Sequence, residues 1–230
     1  MTDVDGTPQS RADLVSKLSH EVRGPVSTLR GLVGTTLAHY DRLSDDERQE
    51  FLHLIKHEAD RLERTVEQIA LALKLDAGSL RVDIRRQDLG MIVREATQAA
   101  DTGDHPVEIA AESIEAPVDG SLIASVVRQL IDNAVTFSPP DSTITIGLRR
   151  DGDDALIEVT DRGPGVPPDK RAAVFERFAD WRPPDYEDRP GAGLGLFISR
   201  AVARAHGGEA SIAEGPAEGT MLIVRLPVEG

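Results

Sequence analysis

Small and apolar residues in the first third of the chain recur at heptad spacing. One row is Val15, Val22, Leu29 and Thr36, and a second, three residues on, is Leu18, Pro25 and Leu32. These rows predict a helix from Asp13 to about Tyr40. Asp41-Arg42-Leu43 breaks it. Ser44-Asp45-Asp46-Glu47 then has the S-x-x-E form of a capping box, which predicts a second helix start. That helix carries Leu52, Ala59, Val66 and Leu73 in one row and Ile55, Leu62 and Ile69 in the other. Two antiparallel helices with so long a seam form an α-helical hairpin. Pairing with a second copy would give a homodimer built on a four-helix bundle.

The register places one residue with unusual neighbours. With Val15 at heptad position a, His20 falls at f, the outermost position, and Glu21 lies beside it at g. Pro25 removes the backbone hydrogen bond to the preceding turn, so the helix should bend or loosen just after His20. A solvated surface histidine would satisfy the same pattern. His53 and His57 have the i, i+4 spacing of metal ligands, but no H-E-x-x-H glutamate lies between them and they read as solvated surface.

Near Leu75 the heptads end, and Asp76-Ala77-Gly78-Ser79 is a turn or short linker. The expected organisation is a lead at 1–12, a hairpin at 13–76, a linker at 77–83 and a second domain at 84–230. In that domain Leu80–Ile84, Val107–Ala110, Thr143–Leu148, Ala155–Thr160, Ala210–Ile212 and Met221–Leu226 read as strands. Asp88 and Asp119 can cap helices reaching Ala100 and Val135, and Pro168–Phe178 and Leu194–Ala205 read as helical. Asp151-Gly152-Asp153 turns a hairpin. The result is an α/β sandwich: one mixed sheet with helices on one face.

Composition narrows the function classes. The 230 residues suffice for one large or two small domains. There is no cysteine, so disulfides and thiolate metal sites are excluded and a reducing compartment is favoured. A net charge of −14 disfavours nonspecific binding to nucleic acid or anionic membrane. No apolar run approaches a membrane span, and the N-terminus lacks a signal-peptide pattern. A cytoplasmic protein, or the cytoplasmic portion of a larger one, without direct membrane insertion is expected.

Three further stretches could carry chemistry. Asp161-Arg162-Gly163-Pro164-Gly165-Val166-Pro167 follows a strand. Its carboxylate can accept from an exocyclic amine, which adenine has and guanine lacks at the matching position, and its glycines let backbone approach a flat ring. An ordinary turn would look the same. Gly191-Ala192-Gly193-Leu194-Gly195-Leu196 opens a helix, where free N–H groups suit phosphate. It is neither a dinucleotide fingerprint nor a P-loop. The proline-rich, charged stretch from Ala179 to Pro190 before it reads as a lid. Asn133 in Asp132-Asn133-Ala134 offers a neutral oxygen that suits Mg²⁺ shared with phosphates.

The order of these motifs is more specific than any one of them. With Phe175-Glu176-Arg177-Phe178 between the two glycine motifs, the order resembles the ATP-binding domain of sensor histidine kinases, which has the Bergerat (GHKL) fold. Ser19-His20-Glu21-Val22-Arg23-Gly24-Pro25 resembles the family's H box, and 75–89 its usual linker. Val118–Pro139 is similar to its N box, and His206-Gly207-Gly208 to the end of its last helix. The resemblance runs from Leu14 to Pro227.

The resemblance implies an ATP-dependent protein-histidine kinase of a two-component system. His20 would attack the γ-phosphoryl group of ATP through Nε2, and Glu21 would take the proton from the other ring nitrogen. Asn133 would hold Mg²⁺, beside Gln129 and Phe137. Asp161 would read the adenine amine, with Gly163, Gly165, Val166 and Thr220 lining the base. Arg177, Phe178, Gly191, Gly193, Leu194, Gly195 and Leu196 would complete the site at the phosphates. The phosphoryl group would then pass to an aspartate in a response-regulator receiver domain.

Three positions depart from the pattern. Gly24 stands where many relatives carry a Thr or Asn that positions the water for regulator dephosphorylation. Gln129 replaces the commoner first Asn of the N box, and Thr136 replaces a common Lys. The short lead is expected either from a kinase core cut from a longer protein or from a short kinase that takes its signal from a separate sensor protein. A histidine phosphotransfer protein of the same architecture, fed by another kinase, is the alternative reading. The glycine motifs argue against it, because such a protein needs no adenine pocket. An ATP-driven interaction protein is a third class, and His20-Glu21 argues against that.

Overall fold

The computed structural model describes residues 8–187, 191, 193–215 and 219–229, the side chains of 8–18 and of residue 20 excepted. The chain divides into two compact units, Met1–Lys74 and Leu75–Gly230.

The first unit is a helical hairpin. Helix α1 spans Pro8–His39 and α2 spans Asp45–Asp76. A 3-10 turn at Tyr40–Arg42 joins them. α1 begins at Pro8, so residues 8–12 of the expected lead are helical, and 1–7 lie outside the described residues. Reciprocal capping starts α2: the Ser44 N–H and hydroxyl both donate to Glu47 Oε2 at 2.8 Å, and the Glu47 N–H donates to Ser44 Oγ at 3.3 Å. Pro25 lies inside α1 and is buried, while Val22, Leu29 and Leu32 are half-buried.

The two rows of α2 behave differently. Ile55, Leu62 and Ile69 are half-buried, whereas Leu52, Ala59, Val66 and Leu73 are exposed, as are Val26, Val33 and Leu37 on α1. One seam therefore closes within the hairpin and a second apolar face stays open. α1 also carries Gly31 and Gly34 at outward positions, where an added Cβ would meet nothing within 4 Å. Each glycine costs helix stability through backbone entropy. Gly31→Ala and Gly34→Ala should each stabilise the helical unit by about 0.5–1 kcal/mol. A higher urea midpoint in far-ultraviolet circular dichroism of the full chain would show it, and an unchanged or lower midpoint would not.

The second unit opens with β1 (Arg85–Asp88) and α3 (Leu89–Ala99), followed by β2 (Val107–Ala111), β3 (Glu115–Val118) and α4 (Gly120–Phe137). β4 (Ile144–Asp151), β5 (Asp154–Thr160), α5 (Gly195–Ala205), β6 (Glu209–Glu214) and β7 (Thr220–Pro227) follow. The main sheet has five strands in the order β2-β4-β5-β7-β6, and β1 pairs with β3 in a separate ladder. β2 and β4 are parallel and the other neighbours antiparallel, so the sheet is mixed. Along β4, Ile144, Ile146 and Leu148 are buried while Thr145 and Arg149 are exposed. This alternation gives the sheet one covered face, which packs against Ile123, Leu130 and Ile198 of α4 and α5.

Asp88 and Asp119 cap as expected. Asp88 accepts from Gly90 N–H, and Asp119 accepts from Ser121 and Leu122 N–H. Three expectations change. Residues 80–84 are not a strand; the pairing begins at Arg85, opposite Val118. β3 was not anticipated. Pro168–Phe178 is not a helix: only Ala173–Phe175 forms a 3-10 turn. Pro167 and Pro168 lack N–H groups and restrict the residues before them, which favours turns. Among the described residues, no helix is long and apolar enough to cross a membrane.

Candidate functional site

Asp161 follows the last residue of β5 and is 1% exposed. Its Oδ1 accepts the N–H of Gly163 at 2.7 Å and that of Thr220 at 3.1 Å. Its own N–H donates to the Thr220 carbonyl at 2.9 Å. β5 and β7 are paired neighbours, so their ends hold this carboxylate from two sides. Burial pushes the Asp161 carboxyl above the usual carboxylate value, and the Gly163 and Thr220 hydrogen bonds offset this only in part.

The turn after Asp161 rests on the end of α4. A Cβ on Gly163 would lie 2.6 Å from the Phe137 carbonyl oxygen, so any side chain would push the turn off the helix. The Phe137 ring in turn stands 5.8 Å from the Tyr186 ring. Gly165 has φ +73°, and Val166, half-buried, accepts from Arg171 Nε at 3.0 Å.

One turn earlier on α4 lies half-buried Asn133, and a turn before that Gln129. Gln129 Nε2 donates to Ser125 Oγ at 3.5 Å, and Gln129 Oε1 is buried with no partner. A Cβ on Gly195, the first residue of α5, would lie 3.5 Å from that oxygen. An orphaned acceptor thus faces a helix N-terminus whose first N–H groups have no intrahelical partner. Buried Leu194 anchors the turn into α5, and Leu196 is half-buried behind Gly195. Gly193 has φ +66°, and its Cβ would fall 2.3 Å from the Ala179 carbonyl. Only glycine lets residue 193 approach the Ala179 backbone so closely.

That stretch contributes contacts of its own. Arg182 Nη2 donates to the Gly191 carbonyl at 2.9 Å, while Nη1 donates to the Ala179 and Trp181 carbonyls at 3.2 and 2.9 Å. Residues 188–190 and Ala192 lie outside the described residues. Phe178 has φ +58°, an uncommon backbone state for an aromatic residue. The Arg177 guanidinium sits 5.0 Å from the Phe178 ring, and its Nη1 pairs with Asp76 at 2.5 Å, both residues belonging to the second unit. Its Nε and Nη2 are buried without partners.

The structure therefore brings Phe137, Asp161, Gly163 and Thr220 together, and Gln129 to Gly195. It places Arg177 on Asp76 and Phe178. His20 and Glu21 lie on α1 in the other unit; Glu21 is half-buried, and the His20 side chain lies outside the described residues. Sequence reasoning missed Tyr186 and Arg182. Their partners, Phe137 and Gly191, are set by tertiary folding and leave no local signal. His53 and His57 are exposed, and among the described residues no three His, Cys, Asp or Glu side chains gather to hold a metal.

Two family models match the chain. One, His Kinase A (phospho-acceptor) domain, covers residues 10–78. The other, histidine kinase-, DNA gyrase B- and HSP90-like ATPase, covers residues 118–230. The chain carries a sensor histidine kinase core. The sensor protein KdpD of Clostridium acetobutylicum is 29% identical over 223 residues, covering 95% of this chain and 25% of that protein. The sensor-like histidine kinase SenX3 of Mycobacterium bovis is 31% identical over 223 residues, covering 95% of this chain and 54% of that protein. The chain thus spans between a quarter and about half of these relatives. Among solved structures, the mycobacterial sensor histidine kinase MprB aligns with a TM-score of 0.56 at 29% identity. That alignment covers 63% of this chain and 97% of that one.

In this kinase core the ATPase match lies within the second unit. Its donor set also fits a hard cation shared with phosphates. The orphaned Gln129 Oε1 and the Asn133 amide present neutral oxygens on one face of α4, as Mg²⁺ accepts.

Proposed function

We propose that the chain is an ATP-dependent protein-histidine kinase that phosphorylates His20 and passes the phosphoryl group to an aspartate of a response-regulator receiver domain. The observation that carries this reading is the pairing of buried Asp161 with the unpartnered Gln129 oxygen facing Gly195. An adenine reader and a phosphate-end acceptor then occupy one domain, on a chain whose first unit holds His20 and Glu21 on α1.

In this reading Asp161 accepts the adenine amine, and the α5 N-terminus donates to phosphate oxygens. Gln129 and Asn133 would hold Mg²⁺, which neutralises charge between the phosphates. The lone pair of His20 Nε2 attacks the γ-phosphorus. The N–P bond forms as the bond from the γ-phosphorus to the bridging oxygen breaks, and ADP leaves. Glu21 takes up the Nδ1 proton, which removes the positive charge from the ring. The open apolar rows on α1 and α2 support homodimerisation, since Leu52, Val66 and Leu73 would otherwise remain in water.

The test is incubation of the chain with Mg²⁺ and γ-labelled ATP. Label that is lost in acid and survives base is expected on the wild type. Asn133→Ala should lower the labelling rate by roughly a hundredfold or more, with ATP alone still bound. Binding of ATP without any label would remove the kinase reading.

A further inference from the structure

His206 caps the C-terminus of α5 and is 6% exposed. Its Nδ1 lies 2.8 Å from the Val202 carbonyl oxygen in the last turn of α5. Its Nε2 lies 3.0 Å from the Asp119 backbone nitrogen. The partners fix the tautomer. A carbonyl only accepts, so Nδ1 carries the hydrogen; a backbone N–H only donates, so Nε2 is bare. A neutral ring is the one form that satisfies both.

The Asp119 end is itself held. Oδ1 accepts from Ser121 N–H at 3.1 Å, Leu122 N–H at 3.2 Å and the Ser121 hydroxyl at 2.7 Å, which starts α4. Oδ2 accepts the N–H of Asp83, from the segment before β1, at 3.0 Å. His206 thus joins the last turn of α5 to the first residue before α4. At the opposite end of α5, Gly195 faces Gln129 on α4. The same two helices are therefore tied at the far end and carry the phosphate-end groups at the near end.

We infer that His206 is a positioning residue: its Nδ1–H tautomer pins α4 to α5 and so keeps Gln129 and Asn133 aligned with the α5 N-terminus for Mg²⁺ and ATP. Polar groups on two elements cooperate only while their spacing is held, and a shift of about 1 Å far from the chemistry can cost on the order of a hundredfold. The inference rests on the nucleotide reading above.

Two substitutions separate the pin from simple capping. His206→Asn can still donate to the Val202 carbonyl but is too short to reach Asp119. His206→Gln can offer its oxygen to the Asp119 N–H while giving up the Val202 bond. The readout is the gain in ATP affinity on adding Mg²⁺, measured by calorimetry with and without chelator. His206→Asn should lose about tenfold of that gain, and His206→Gln should keep most of it. Equal loss in both, or full gain in His206→Asn, overturns the pin. A wild-type chain with no Mg²⁺ gain overturns the nucleotide reading and this inference with it. One check needs no variant. The ring ¹⁵N shifts of His206 in the wild-type chain should report protonated Nδ1 and bare Nε2, and the opposite tautomer overturns the proposal.

Discussion

Asp161→Asn is expected to weaken ATP binding by about a hundredfold or more while leaving the empty domain at least as stable at neutral pH. The two effects have opposite signs because they draw on opposite properties of one buried carboxyl. In the proposed binding mode, the carboxylate would give a charge-assisted hydrogen bond to the adenine amine. An asparagine can keep accepting from Gly163 and Thr220 through one oxygen. Its NH₂ then faces the adenine NH₂, and two donors meet where a donor and an acceptor stood. A lost charged bond together with an unmatched donor corresponds to about 3 kcal/mol. Guanine presents a carbonyl at that position, so the preference for ATP over GTP should shrink in the same variant.

In folding, the sign runs the other way. Burial raises the Asp161 value above its unfolded one. Ionisation then favours the unfolded chain. The stabilising contribution is complete below the ordinary aspartate value and is lost as pH rises through the raised folded value. Asn cannot ionise and escapes this loss. Nucleotide binding, which selects the carboxylate, should weaken in wild type as pH falls toward the raised value and should be flat there in Asp161→Asn. Calorimetric titration across mildly acidic pH, beside thermal melts of the empty chain, checks both arms. An Asp161→Asn chain that binds ATP as wild type does would sink the assignment of this residue to the base.

The local part of this architecture was legible in the chain. Ser44 and Glu47, Asp88 and Asp119 form caps because capping is decided within a few residues, and the structure shows each of them at work. The β4–β5 hairpin was visible for the same reason, with Gly152 at φ +63° in its turn. β3 was missed because its four residues, Glu115–Val118, include a proline and carry too little pattern; only the pairing with β1 makes it a strand. Residues 80–84 alternate like a strand but have no ladder partner, since Asp83 spends its N–H on the Asp119 carboxylate. The candidate site divides along the same line. Asp161, Gly163 and the glycines before α5 stood out in the chain as short glycine motifs, and only their order along the chain resembled the family's site. That Gly163 touches Phe137, that Tyr186 stands beside it, and that His206 ties two helices are facts of tertiary folding. They join residues as far as 87 positions apart in the case of Asp119 and His206.

His20→Gln should abolish labelling by γ-labelled ATP and leave ATP affinity unchanged. The separation follows from where the residues sit. Phe137, Asp161, Gly163, Thr220, Gln129 and Gly195 all belong to the second unit, and His20 to the first. Glutamine keeps a polar side chain at an outward heptad position and disturbs no apolar seam. It offers no ring nitrogen to attack phosphorus, so the chemical step has no acceptor. Glu21→Gln should act differently, because the ring remains and only the proton acceptor goes. A slower rate by roughly ten- to a hundredfold is expected, and the residual label should keep the acid lability of an N–P bond. That chemistry also exposes a wrong assignment. An ester to serine or threonine survives acid, so acid-stable label persisting in His20→Gln would place the acceptor on a hydroxyl elsewhere. Acid-labile label persisting in the same variant would move it to another histidine, with His39, His53 and His57 the remaining ones of the helical unit.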